Sequence, residues 1–495
     1  MGLRTFFVSR LGAKLRAHEA PDPRRARGAQ RRRPLGLQLP HRAEPVQGGE
    51  GATRQRPRPP QGGQQPGQRG AQRGGRERPQ GPARPAPEAR GDEGQRPRQA
   101  AAARSAGGWQ LRRVSSELIF ETAEHTALRE QARRFARTHI RPHAHAWDEA
   151  EEFPRELYRA AGEAGILGTS YPEELGGSGG DVSHVHAISE ELVLEGHSVG
   201  AVVGIGSHGI ALPPIVRVGS DAQKRKYVPP VLRGEKIAAL AITEPGGGSD
   251  VASLATRAER DGDYYVVTGS KMFITSGCRA DFVTTAVRTG GPGHGGVSLL
   301  VIESDTPGFQ VSKRLKKTGW RASDTAEITF DRCRVPVANL IGEENQGFVP
   351  IMMNFATERI FLAGQCVAIA ELCYRESIAY ARERKAFGKP LSGFQVTRHK
   401  LADMATEIAA ARALLEACIA RHLRGDNVTN LAAKAKNCAT DMLMFVADEA
   451  VQIHGGYGYM RETLVERLWR DARLYPIGGG TREIMNELIS KTEGY

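Results

Sequence analysis

Ala241-Ile-Thr-Glu-Pro-Gly-Gly-Gly-Ser-Asp250 is the stretch at which the pattern of the chain changes. Upstream of it, from Leu118 to about Ile237, apolar residues fall three and four apart, as in Ala127 to Ile140 and Glu156 to Ala164, and predict helices. From Ala238 to about Ile341 the period drops to two, in Tyr264-Tyr-Val-Val-Thr268, Phe282-Val-Thr-Thr-Ala286 and Val297-Ser-Leu-Leu-Val-Ile302. After Gly347 the helical period returns, through Phe348 to Glu383, Gln395 to Leu423 and Leu431 to His454, with a last helix after Tyr475-Pro476. The expectation is an α+β chain: an N-terminal helical domain over 114–237, an antiparallel β domain over 238–345 and a C-terminal helical domain over 346–495. A small sheet between two helical layers leaves clefts at its borders, where flat cofactors commonly sit.

The quoted stretch joins a strand end to a Pro and three glycines, so its backbone N–H groups and the Ser249 hydroxyl can approach an anion closely. Taken alone it reads as an ordinary turn. Its weight rises because Lys271-Met-Phe-Ile-Thr-Ser-Gly277 follows at the end of the next strand pair, where an aromatic ring and a hydroxyl can meet a planar heterocycle.

The 495 residues carry a formal charge of +13, which would suit a nucleic-acid or anionic-membrane partner if it were spread over the fold. It is not spread: residues 1–113 hold 25 Lys+Arg against 8 Asp+Glu, net +17, leaving 44 against 48, net −4, in the remainder. Nucleic-acid binding is thereby disfavoured for the folded part and survives only as a remote alternative for the tail. Rich in Arg, Gly, Pro and Gln, segment 1–113 is expected to be a disordered extension. Three readings of it stand: a basic arm, an Arg-rich targeting peptide over Met1 to Arg16, and a start site set too far upstream. A start-site artefact or a tail without function is the reading adopted. No stretch approaches the roughly 20 apolar residues that span a bilayer, so no membrane partner is expected. The six cysteines, Cys278, Cys333, Cys366, Cys373, Cys418 and Cys438, show no CxxC and no zinc-like Cys/His spacing. They are expected to be buried thiols in a reducing compartment, and no metal is expected.

Thr243 to Asp250, Phe273-Ile-Thr275, Arg384-Lys-Ala-Phe-Gly388 with Gln395, Gln452-Ile-His-Gly-Gly456 and Arg470-Asp-Ala-Arg473 closely resemble the successive motifs of the acyl-CoA dehydrogenase family, from about Glu117 to the C-terminus. That resemblance implies a C-terminal four-helix bundle and FAD. Leu240, Ala241, Ile242, Thr243, Gly248 and Ser249, with Phe273, Ile274 and Thr275, would hold the flavin and pyrophosphate within one subunit. Arg384, Ala386, Phe394 and Gln395, with Gln452, Ile453, His454, Gly455 and Gly456, would hold the adenine half of a neighbouring subunit's FAD. Gly480, Thr481 and Glu483 would close over the cofactor. Phe273 departs from the Trp of many members: a stacking surface remains and an N–H donor is lost. The resemblance further implies an acyl-CoA substrate, a homotetramer, electron-transferring flavoprotein as electron acceptor, and a cytoplasmic enzyme if bacterial or a mitochondrial-matrix one if eukaryotic.

Most members of the family carry their catalytic Glu where this chain has Gly479, within Ile477-Gly-Gly-Gly-Thr-Arg-Glu483. The long-chain and isovaleryl branches carry it earlier, in a helical Glu-Arg pair, and Asn354-Phe-Ala-Thr-Glu-Arg359 resembles that pattern. Gly478 to Thr481 resembles the long-chain branch, with Gly478 in place of a frequent Tyr. The residues support Glu358 independently: Phe348, Ile351, Met352, Phe355, Leu362, Cys366 and Ile369 mark one helical stripe, and Glu358 falls on it. Burial there would raise the carboxyl pKa toward neutrality, which suits a base attacking a weakly acidic carbon. Without the resemblance, a buried Glu paired with an Arg for structure is the simpler account.

By resemblance, Glu358 would remove the pro-R α-proton while the β-hydride passes to flavin N5, giving a trans-2-enoyl-CoA. The backbone N–H of Gly479 would remain to stabilise charge on the thioester oxygen. Ser249, Ala356, Thr357, Arg359 and Gly479 match the family's substrate contacts. A branched short-chain, isovaleryl-type enzyme is the alternative to a long-chain one. Glu244 and Asp471 are expected to fix loops, and His454 to position backbone or the cofactor's edge.

Overall fold

The computed structural model describes residues 120–495; the expected 1–113 extension lies outside them. Asp181 opens the central helix Val182–Gly196 by accepting from the Ser183 and His184 N–H groups. A second helix, Ala123–Phe135, meets it there through His125, whose ring nitrogens lie 2.9 Å from Thr122 Oγ1 and 2.8 Å from Ser183 Oγ. His125, Asp181 and His184 are close enough to hold a metal ion, but these contacts make them two interlocked helix caps.

Val182–Gly196 is buried almost throughout, and this has a cost at Glu190 and Glu191 that only pairing offsets. Arg129 supplies it from helix Ala123–Phe135 at 2.5 and 3.2 Å, and Arg412 reaches Glu190 at 2.7 Å from helix Gln395–Leu423. Arg412 also meets Glu371 at 2.5 Å on the long helix Phe348–Glu383. One buried ladder of charge therefore ties the N-terminal helices to the C-terminal ones.

Between them lies an eight-stranded sheet. Most neighbours are antiparallel, as expected, but Ala238–Ala241 runs parallel to Phe282–Arg288, so the sheet is mixed. The alternation expected for Phe282–Arg288 and Val297–Glu303 does not appear as one wet and one dry face: every residue but the last of each is buried. One face is covered by N-terminal helices through Ile215, Tyr227 and Val231, the other by Tyr265, Ile328 and Phe330 of the sheet's own curl. Buried Thr284 satisfies its hydroxyl on the Ala211 carbonyl at 2.8 Å.

The C-terminal part packs Phe348–Glu383, Gln395–Leu423 and Thr429–His454 as long helices, with Leu464–Ala472 and Arg482–Glu493 as shorter ones. The apolar stripe of the long helix divides between two cores: Phe348, Ile351, Met352 and Phe355 face the sheet and N-terminal helices, whereas Leu362, Cys366 and Ile369 enter the bundle. Glu358 sits at the seam. The six cysteines are unpaired, four buried and two half-buried. No single helix among the described residues is long and apolar enough to cross a membrane.

Candidate active site

The segment after Tyr475 returns to the long helix at Glu358. Gly479 and Gly480 take φ of +65° and +96°, a backbone that L side chains rarely adopt. Space forbids a side chain as well: a Cβ on Gly479 would collide with Leu362 Cδ1 and would lie 3.5 Å from Glu358 Oε1. The position that lacks a carboxylate and the residue that carries one therefore share the same space. Thr481 then caps helix Arg482–Glu493 through the Ile484 N–H.

Glu358 Oε2 is covered and has no hydrogen-bond partner. Burial pushes its pKa up to about 7, against the opposing pull of Arg359 and Lys436. Arg359 points its Nε at the Gly479 carbonyl, 3.5 Å away, and its guanidinium lies over the Phe355 ring. It makes no close ion pair with Glu358, so the purely structural Glu–Arg pair is not what the side chains form. Lys436, reached from helix Thr429–His454, donates to the Gly480 carbonyl at 2.6 Å. Ala356 and Thr357 precede Glu358 on the same helix, half-buried.

A second group gathers at the sheet's end. The strand Tyr264–Thr275 slips register against Thr325–Pro336 between Lys271 and Ile274, and Phe273, at φ +62°, is thrown outward with 66% of its surface exposed. The Met272 N–H donates to the Thr243 carbonyl at 2.8 Å, joining this bulge to the end of Ala238–Ala241. Between them Glu244 folds back: its carboxylate accepts from Ala255 N at 2.6 Å, Thr256 N at 2.9 Å and Lys271 Nζ at 2.8 Å. That closes the base of the Gly246-Gly-Gly-Ser249 loop, leaving Gly248 and Ser249 exposed. Asp471 likewise fixes a loop, accepting the Trp320 N–H at 2.5 Å.

A third group lines a groove of about 520 Å³ on the C-terminal helices: Tyr380, Arg384, Leu391, Ile453, His454, Gly455, Gly456, Tyr457 and Met460. His454 stacks on Tyr380 at 4.3 Å, and its Nδ1 meets the Ala450 carbonyl at 2.8 Å. No residue of the sheet lines this groove. Ala386 lies on the small hairpin Lys385–Ala386/Lys389–Pro390 beside it, Phe394 precedes helix Gln395–Leu423, Gln395 and Gln452 are exposed at their helix ends, and Glu483 is exposed in the first turn of its helix.

Three family models match the chain in order: the acyl-CoA dehydrogenase N-terminal domain over residues 122–235, the middle domain over 239–333 and the C-terminal domain over 345–493. The chain belongs to the acyl-CoA dehydrogenase family. An acyl-CoA dehydrogenase of Bacillus subtilis is 41% identical over 75% of this chain and 98% of its own. The long-chain specific acyl-CoA dehydrogenase of Sus scrofa is 38% identical over 75% and 86%. A solved structure of a probable acyl-CoA dehydrogenase from Mycobacterium abscessus matches with a TM-score of 0.75 and 51% identity, covering 75% of this chain and 99% of that one.

Acyl-CoA dehydrogenases depend on FAD, and the residues present fit it. Phe273 is an exposed ring on a bulge tied through Met272 to the Thr243 carbonyl, and Gly455 and Gly456 have open space where a Cβ would stand, in the groove that Arg384 also lines. Missed by the sequence reading were Lys436 and the groove's Tyr380, Leu391, Tyr457 and Met460. Lys436 carried a signal: Ala432, Ala433 and Ala439 stand four and three positions away, so its side of the helix is apolar, whereas Lys434 lies round the other side.

Proposed function

We propose that this enzyme dehydrogenates long-chain fatty acyl-CoA to trans-2-enoyl-CoA, with Glu358 as the base that takes the α-proton. The observation that carries the reading is the unpaired carboxylate of Glu358 lying against Gly479, with its pKa raised to about 7 by burial. A carboxylate with no hydrogen-bond partner keeps its lone pairs for substrate, and a pKa near the working pH leaves it both ionised and basic. No backbone carbonyl among the described residues takes the Gly479 N–H, which supports a role as donor to the thioester oxygen as the α-carbon loses its proton. Ser249, Ala356, Thr357 and Arg359 would bind the rest of the acyl-CoA.

Bound FAD supplies the hydride acceptor. Phe273, Ile274 and Thr275, with Leu240 to Thr243, Gly248 and Ser249, would seat its flavin end. Arg384, Ala386, Phe394 and Gln395, with Gln452 to Gly456, would seat the adenine end of a partner subunit's cofactor, and Gly480, Thr481 and Glu483 would close the entrance. That arrangement needs at least a dimer; the enzyme would be a homotetramer, reoxidised by electron-transferring flavoprotein. The bacterial sources of several relatives support a cytoplasmic location.

Glu358→Gln with FAD retained tests the base. Anaerobic flavin bleaching by palmitoyl-CoA should fall by at least a thousandfold, about 4 kcal/mol of transition-state stabilisation. Near-normal bleaching would exclude Glu358. Octanoyl- and isovaleryl-CoA run beside palmitoyl-CoA decide chain class, and a preference for isovaleryl-CoA would replace the long-chain reading by the branched one.

A further inference from the structure

Lys436 has no place in the scheme above, yet it is fully buried on a helix face otherwise lined with Ala432, Ala435 and Ala439. An ammonium taken out of water costs several kcal/mol, and a Leu or Met would fill the same space without that cost. Its charge therefore calls for an account. Nζ donates to the Gly480 carbonyl at 2.6 Å, and Cε stands 3.7 Å from the point where a Gly479 Cβ would be, the same point that lies 3.5 Å from Glu358 Oε1. Arg359 approaches the preceding carbonyl, that of Gly479, from the other side at 3.5 Å. Two successive carbonyls of a turn made floppy by two left-handed glycines are thus each met by a buried cation.

We propose that Lys436 is a positioning residue for the catalytic base: it anchors the Gly479–Gly480 turn from inside the core and sets a positive charge beside Glu358 that favours the ionised carboxylate. This rests on the reading of Glu358 as the base. The groups that face Lys436 are Glu358, Arg359 and Cys366 of the long helix and the peptide groups of the turn. Burial brings Lys436 down to about 8, with Arg359 acting in the same sense and Cys366 and Glu358 opposing it.

The test compares Lys436→Met, which removes donor and charge, Lys436→Gln, which keeps a donor without the charge, and Lys436→Arg, which keeps both. For each FAD-loaded variant the rate of flavin bleaching by acyl-CoA is followed against pH. Protonation of Glu358 is followed separately in apoprotein by the infrared carboxylic-acid band, with Glu358→Gln as the blank. Met and Gln should both move the Glu358 titration, and the acid limb of the rate, up by roughly one pH unit. Met alone should also lower the plateau rate, by about tenfold, since only it releases the turn. Arg should restore the wild-type titration.

An unchanged infrared titration in Met and Gln overturns the proposal, as does an equal loss of rate in all three variants with no movement of the limb. Should Lys436→Met fail to fold, Gln against Arg still separates charge from no charge. If Glu358→Gln bleaches normally, the base assignment fails, whereas the infrared titration continues to report on Lys436 by itself.

Discussion

At the scale of single residues, the site is one carboxylate and one absent side chain. As the proposed base, Glu358 would have to be ionised to accept a proton, so kcat/KM should rise with pH through about 7 and flatten above it. The sign follows from burial, which holds the proton on below that value. A pH profile of the reductive half-reaction with an acid limb near 4, the range of a solvated carboxylate, would mean that another group sets the rate. Gly479→Ala should destabilise the protein by about 1–3 kcal/mol, because the Cβ meets Leu362 and φ is +65°. Denaturant unfolding of the FAD-loaded enzyme measures it, and an unchanged midpoint would mean that the turn relaxes freely. The pairing of Glu358 with Gly479 was legible in the sequence because a vacancy in a known motif and a charge on an apolar stripe are both visible in one dimension. Lys436 was not, because a Lys in a helix reads as solvated unless its neighbours are weighed, and what it bonds is a carbonyl 44 residues away.

At the scale of elements, the chemistry depends on irregularities rather than on regular strands and helices. The long helices Phe348–Glu383 and Gln395–Leu423 were legible to the residue, since many turns of 3.6-residue period average out local noise. Strands Arg257–Asp261, Phe309–Arg314 and Thr325–Pro336 were not, as their charged, exposed positions blur a period of two. The bulge at Phe273 was equally hidden, because register belongs to a pair of strands. Phe273→Ala should weaken FAD binding about tenfold, from loss of a stacking surface worth about 1 kcal/mol, and Phe273→Trp should keep it. Flavin fluorescence titration of the apoprotein decides this, and equal affinity in all three would remove Phe273 from the site. Glu244 gives an acid-sensitive element. Although burial alone would raise it, Lys271 and the Ala255 and Thr256 donors hold its pKa below the usual carboxylate range. Its stabilising effect is therefore complete above the unfolded value of about 4.3 and is lost as pH falls through the lower folded value. Glu244→Gln should lower stability at neutral pH and narrow its difference from wild type in acid, and parallel unfolding curves across that range would contradict the role.

At the scale of the whole molecule, the groove on the C-terminal helices carries no sheet residue, whereas the proposed flavin seat around Phe273 lies on the sheet. Under the proposed function a partner subunit's FAD would join the two, and the surface beside the groove has the apolar character of an interface. Phe387 is 97% exposed, packed edge-on against Phe394, and Val396, Tyr457, Tyr459 and Met460 lie open on the neighbouring helix ends. So many large apolar groups around one groove are unusual for a surface that stays wet. If that surface is where subunits meet, cofactor retention and assembly become one equilibrium, because anything that binds only the assembled form stabilises it by mass action. Phe387→Ser should then loosen both together. An aromatic anchor at an interface is worth about 2 kcal/mol, so dissociation should begin at roughly thirtyfold higher protein concentration than in wild type, with FAD released over the same dilution. Sedimentation velocity and flavin fluorescence on one dilution series measure the two events. If FAD stays bound in dissociated subunits, the adenine groove serves its own chain, and the two-subunit site is wrong.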